Sequence, residues 1–200
     1  TLVRISTTPV KSLQLHHPDE IELELFGAAR DRRFYLIRED GRLLAGLHHG
    51  PLALVRAEWD PSSDRLSLTF PDGRVVDGEV SLGESVVTDF WGHRVEGRLV
   101  GGPWGDALGD FSGRPVRLVK TDVPAGGVDV EPLTLVSSES VAELARRAGL
   151  ASLDGRRFRM LFEIDGCAPH EEDTWAGRHV RVGETVLEIG GPVARCATTT

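Results

Sequence analysis

Turn chemistry interrupts the first hundred residues so often that only short elements fit between the breaks. Asp60-Pro61-Ser62-Ser63-Asp64 and Pro71-Asp72-Gly73 read as loops by composition, and Glu39-Asp40-Gly41-Arg42 as a hairpin-like turn. The segments between them suit strands. Glu20-Ile21-Glu22-Leu23-Glu24-Leu25 alternates strictly, which would place its apolar residues on one sheet face. Residues 34–37 form a short apolar run, and residues 53–59, 65–70, 86–89 and 94–100 continue the pattern. Short strands at regular spacing predict a small barrel or sandwich.

Gly101-Gly102-Pro103 breaks that series and marks the expected domain boundary, giving residues 1–102 and 103–200. The second half mixes its signals. Residues 104–111 suit a short helix, and residues 116–119, 133–136, 158–164, 179–182 and 186–189 suit strands. The clearest helix follows residue 140. Ser140 and Glu143 have capping-box spacing, and Val141, Leu144, Ala145 and Ala148 fall on one face. Gly149 supplies the stop. The fold class is therefore mainly β and barrel-like, with α+β elements confined to one or two short helices.

Charge narrows the function. The 200 residues carry a net charge of −8, which argues against coating nucleic acid but leaves room for a local basic pocket. Residues 43–55 are uncharged but too short to span a bilayer, and they contain two His and a Pro, so no membrane partner is expected. The chain starts at Thr1 and its one Met is Met160, so its natural start is expected upstream. Two cysteines make no disulfide framework, and a cytoplasmic protein is the default. Neither Lys11 nor Lys120 follows a glycine, so no Walker loop is present. G-x-G-x-x-G, G-x-S-x-G and H-E-x-x-H are absent as well. His16-His17 and His48-His49 are adjacent pairs and read as surface or satisfied histidines. Cys167 and His170 have half the spacing of a zinc site with no second half, and read as structural.

Four pieces of sequence concentrate cations, hydroxyls and a thiol. They are Pro9-Val10-Lys11-Ser12, Asp31-Arg32-Arg33-Phe34-Tyr35, Arg156-Arg157-Phe158-Arg159, and residues 192–200 around Arg195-Cys196. Together with LTLVSSESVAEL at the helix and W-x-G-x-x-V-R-V-G from Trp175 to Gly183, their order resembles the MOSC family. The likeness is greatest to the branch that includes the amidoxime-reducing component and its bacterial relatives. The resemblance covers nearly the whole chain and implies an N-terminal MOSC β-barrel followed by a MOSC domain.

That resemblance implies a molybdenum–molybdopterin cofactor. Cys196 matches the cysteine that ligates molybdenum and is the expected catalytic residue; a soft thiolate suits such a centre, and neighbouring Arg195 favours the anion. Lys11, Arg33 and Arg159 match positions that meet the pterin and its phosphate, as a point charge and two planar forks. Ser12 and Ser138 match hydroxyl positions near the pterin, and Thr198 and Thr199 follow the cysteine as further hydrogen-bonding positions. The implied activity is reduction of N-hydroxylated or N-oxide small molecules by oxygen-atom transfer to molybdenum, with electrons from a ferredoxin or flavin-dependent reductase. The alternative is a sulfur-carrier domain whose Cys196 receives persulfide sulfur from a pyridoxal-phosphate-dependent desulfurase. Two departures stand out. Relatives often read R-F-R-P-N where this chain has Arg157-Phe158-Arg159-Met160-Leu161, so Leu161 cannot supply the amide's hydrogen bonds. The chain also stops four residues after Cys196, and further strands are expected beyond it.

Overall fold

The computed structural model describes residues 1–44, 50–123 and 126–194. Among them the chain is mainly β, with two α-helices. In order the strands are β1 (Leu2–Ile5), β2 (Leu23–Glu24), β3 (Gly27–Ala28), β4 (Phe34–Arg38), β5 (Arg56–Asp60), β6 (Arg65–Thr69) and β7 (Val75–Glu79). There follow β8 (Ser81–Phe90), β9 (His93–Gly101), helix α1 (Trp104–Ser112), β10 (Val116–Thr121), β11 (Leu135–Ser137) and helix α2 (Ser138–Arg147). β12 (Phe162–Ile164), β13 (His179–Val182) and β14 (Thr185–Glu188) complete the series. Short 3-10 turns occupy Gly50–Leu54, Gly155–Phe158 and Glu171–Trp175.

Two compact units divide these elements. One comprises Thr7–His16 and Glu24–Pro132. It holds a four-stranded sheet in the order β4-β10-β9-β8 and a three-stranded sheet, β5-β6-β7. Among the described residues neither sheet closes on itself. β4 explains why its sequence is a continuous apolar run. Phe34 and Leu36 enter a core with Leu66, Leu68, Trp104 and Leu108. Tyr35 and Ile37 face the other way, into a second cluster with Phe90, Val95 and Val119. A strand buried on both faces has no polar side to alternate with. Helix α1 caps the first core, and Trp104 donates its indole N–H to the Leu66 carbonyl at 3.1 Å, satisfying the one polar atom of a buried ring.

The other unit comprises Thr1–Ser6, His17–Leu23 and the described part of Leu133–Thr200. β12 is central, antiparallel to β1 and parallel to β11. A parallel pair needs a crossover, and α2 lies in the connection from β11 to β12. β13 and β14 form a separate ribbon.

Three local expectations are corrected. The alternating segment at residues 20–25 is strand only at Leu23–Glu24. Leu25 and Phe26 form a tight turn and stand exposed, Leu25 by 88%. Alternation specifies a strand only where a partner and a core face receive it. The helix cap is Ser137 and not Ser140. The Ser137 hydroxyl accepts the Ser140 N–H at 3.0 Å, so the helix starts one turn early; Leu144, expected on the apolar face, is exposed. Glu143 turns outward to Arg146 and Arg147 at 2.7 Å. Residues 158–164 are a strand only from Phe162, because Gly155–Phe158 winds as a 3-10 turn. The stop at Gly149 matches expectation. Its φ is 68°, its N–H reaches the Arg146 carbonyl, and the Leu150 N–H reaches that of Ala145, the paired bonds of a Schellman end.

Candidate functional site

In the Thr7–His16 and Glu24–Pro132 unit, the segment around Lys11 is a tight turn laid against β4. The Lys11 N–H donates to the Phe34 carbonyl at 2.8 Å, and the Phe34 N–H to the Pro9 carbonyl at 2.9 Å. The Leu13 N–H closes the turn on the Val10 carbonyl at 3.2 Å. This places Ser12 at φ 75°, a conformation that glycine normally takes. Thr8 ties the turn to the second motif. Its N–H donates to buried Asp31 at 2.8 Å, and Asp31 pairs with Arg32.

Lys11 is buried and already has anionic company. Its ammonium lies 2.9 Å from the Gly127 carbonyl, 2.9 Å from an Asp129 carboxylate oxygen, and 5.3 Å above the Phe90 ring. Asp129 also accepts the Trp91 indole N–H at 2.8 Å. Burial opposes ionisation of Asp129, but the Lys11 charge and the Lys11 and Trp91 hydrogen bonds outweigh it and hold its carboxyl below the ordinary range. The segment carrying Asp129 is anchored at Gly127, whose N–H donates to the Arg32 carbonyl at 3.1 Å. A side chain at Gly127 would collide with that same carbonyl, so the close approach requires glycine.

Arg33 behaves differently from Lys11. Its guanidinium lies 5.4 Å from the Trp59 ring centroid. Its Nε is buried and meets no hydrogen-bond partner among the described residues. A buried N–H left without an acceptor costs about 1–3 kcal/mol, and the Nε atoms of Arg4 and Arg38 are in the same state. Lys120, by contrast, is held by both oxygens of Asp64 at 2.6 and 2.7 Å.

In the other unit, Arg159 ends the 3-10 turn Gly155–Phe158 at φ 53°, with its N–H on the Arg156 carbonyl at 3.0 Å. Asp154 starts that turn by accepting the Arg156 N–H at 2.9 Å. The Arg156 side chain holds the Asp154 carboxyl down to about 2. Ser138 opens helix α2 and donates its hydroxyl to Glu163 at 3.0 Å. Leu161 is buried, its N–H on the Thr134 hydroxyl and its carbonyl accepting from Ser6. Position 161, where the resemblance implies an amide, is thus part of the core here.

Backbone strain falls partly on the motifs. Of six non-glycine residues with positive φ among the described residues, three are Ser12, Arg32 and Arg159, in the PVKS, DRRFYLI and RRFR segments. Such residues cost on the order of 1–3 kcal/mol each and concentrate at ligand sites. Lys11, Ser12 and Arg33 share one unit, and Ser138 and Arg159 share the other. Arg195, Cys196, Thr198 and Thr199 lie outside the described residues, as do His48 and His49. His17 is satisfied, with its Nδ1 3.2 Å from the Ser6 hydroxyl and 3.1 Å from the Ile5 carbonyl. Cys167 is half-buried, and burial, followed by nearby Glu172, Glu139 and Glu171, raises its thiol despite a hydrogen bond from Ser137. Among the described residues no cluster of three His, Cys, Asp or Glu is placed to hold a metal ion. No helix of the described residues is long and apolar enough to cross a membrane.

Asp129 and Glu163 were not legible from sequence. Asp129 lies in a loop without periodicity, far along the chain from Lys11. Glu163 carried one faint signal, a lone charge inside an apolar run.

Comparison with known proteins extends these findings. A family model described as the MOSC N-terminal beta barrel domain matches residues 1–112. A model described as the MOSC domain matches residues 122–200. Mitochondrial amidoxime-reducing component 1 of Danio rerio is 27% identical over 197 residues, covering 88% of this chain and 59% of its own length. The chain therefore spans under two thirds of that relative. A solution structure of a Bordetella bronchiseptica protein is 20% identical with a TM-score of 0.35, covering 50% of this chain and 78% of that one.

Proposed function

The chain belongs to the MOSC family, and from that premise we propose that it binds a molybdenum–molybdopterin cofactor and reduces N-hydroxylated or N-oxide small molecules. Two things support this reading: the chain matches both MOSC models, and it is similar to a relative whose name describes amidoxime reduction. The observation that supports it in the structure is that Lys11, Ser12 and Arg33 fall in one unit, with left-handed backbone at Ser12 and at Arg32 beside Arg33.

The donor types that the motifs carry suit such a group. Arg33 and Arg159 offer planar forks that match phosphate oxygens in pairs, which a lysine cannot do. Lys11 would meet the group as a donor already fixed by Asp129 and the Gly127 carbonyl, with its charge offset by that carboxylate. Ser12 and Ser138 supply hydroxyls to the pterin edge, and Thr198 and Thr199 would do the same beside the metal. Cys196 is the proposed metal ligand, and Arg195 lowers the cost of keeping its sulfur anionic. When bound, the cofactor supplies two-electron redox chemistry and the capacity to accept an oxygen atom. The protein binds and orients it, and a ferredoxin or flavin-dependent reductase delivers the electrons.

The test is turnover of a simple aromatic amidoxime by the full chain with a chemically reduced dye as donor. Wild type is expected to reduce it, and Cys196→Ser to fold normally but lose the activity. Equal turnover by the variant would overturn the ligand assignment. Sulfane sulfur on Cys196 without molybdenum or turnover would establish the sulfur-carrier alternative.

A further inference from the structure

Ser138 is the proposed ligand-facing hydroxyl whose hydrogen can be located by chemistry alone. It sits in the first turn of α2 but takes no part in the cap, which belongs to Ser137. Among the described residues its one hydrogen bond runs to Glu163 Oε1 at 3.0 Å. A carboxylate only accepts, so the shared hydrogen is the serine's. The other carboxylate oxygen, Oε2, is paired with Arg4, directly across the β1–β12 register. Glu163 is only 15% exposed. Gly155 closes over the pair, since a side chain there would sit 2.9 Å from Glu163 Oε2 and 3.2 Å from the Arg4 guanidinium. Glu163 is thus held at both oxygens, by Arg4 across the strands and by Ser138.

A hydroxyl carries one donor and two acceptor sites. With the donor committed to Glu163, Ser138 can only accept. We infer that Glu163, held by Arg4, is a positioning residue that locks Ser138 as an acceptor, so the ligand atom facing Ser138 is an N–H donor and never a carbonyl or phosphate oxygen. The amino-bearing edge of a pterin is such a donor. This inference rests on the proposed function, since it takes Ser138 to meet the cofactor, and it adds which edge is read and what enforces the reading.

Glu163→Gln inverts the lock. Arg4 has donors only, so the new amide must turn its oxygen to Arg4 and its NH2 to Ser138. Ser138 then accepts from Gln and is free to donate to a ligand. The experiment titrates the full chain, expressed in a host unable to make the cofactor, with 2-amino-4-oxopteridine and with 2,4-dioxopteridine, which replaces the amine by a carbonyl. Wild type is expected to favour the amine about tenfold, the worth of one hydrogen bond made or missed. Glu163→Gln is expected to flatten or reverse that ratio, and Ser138→Ala to erase it. A purely structural role for Glu163 would weaken both ligands equally and overturn the inference. So would a wild type without preference, or a preference that survives in Ser138→Ala, a variant that also decides the matter should Glu163→Gln fail to fold. In these outcomes the pterin reading still stands. If neither pteridine binds wild type and chain from a cofactor-making host carries no pterin, the inference and the proposed function fall together.

Discussion

Asp129→Asn tests whether Lys11 is a buried cation that depends on its own protein for a counter-charge. The substitution keeps the shape and the capacity to accept from Trp91, and removes one negative charge 2.9 Å from the ammonium. Breaking a fully buried pair costs about 3–5 kcal/mol, while an exposed pair is worth about 0–1 kcal/mol. Lys11 is 8% exposed and Asp129 52%, so water reaches one partner only. The expected loss is therefore intermediate, about 1–2 kcal/mol. With a urea slope of about 2 kcal/mol per molar, the midpoint should fall by about 0.5–1 M. Lys11→Met in the Asp129→Asn background should be less destabilising than the two single losses added, because the stranded charge is gone. The sign with pH is also set. The folded-state carboxyl is held low, so its contribution is full above the unfolded carboxylate range and disappears as pH falls through the folded value. Wild type and variant should converge in acid. A midpoint unchanged at neutral pH, or a gap that widens in acid, would refute the reasoning.

Three further outcomes follow from individual contacts. Ser137→Ala removes the cap of α2 and should cost about 1–2 kcal/mol in chemical denaturation, whereas an equal loss from Glu143→Ala would contradict the cap assignment. Leu161→Asn, which restores the residue common in relatives, should destabilise by about 2–4 kcal/mol and leave pterin retention no better, because the side chain is in the core. Alkylation of Cys167 should be slow at neutral pH and still accelerating beyond pH 9, its ordinary thiol value, since burial and three glutamates oppose the thiolate; a rate that levels off below that value would show an activated thiol instead.

Local patterning reached the fold further than it reached the site. The Phe34–Arg38 strand, the Trp104 helix and the Gly149 stop were all readable, because each follows from burial or backbone freedom within a few residues. The strand expected at residues 20–25 was not, because alternation says nothing about whether a partner strand is present. The Ser140 cap was misplaced because three serines in four positions all satisfy capping chemistry, and packing of Val141 and Ala145 chooses among them. At the site, the motif residues were legible as chemistry, and the strained backbone at Ser12 and Arg159 falls on them. Their partners were not legible. Lys11 with Asp129 and Arg4 with Glu163 are joined across more than a hundred residues, and only the folded chain makes them neighbours.

If Cys196 holds molybdenum, elemental analysis of the purified chain expressed with molybdate will find about one molybdenum per chain, lost in Cys196→Ser while pterin is retained through the arginines. Wild-type protein without molybdenum, or a serine variant that keeps it in full, would rule out the cysteine as the metal ligand.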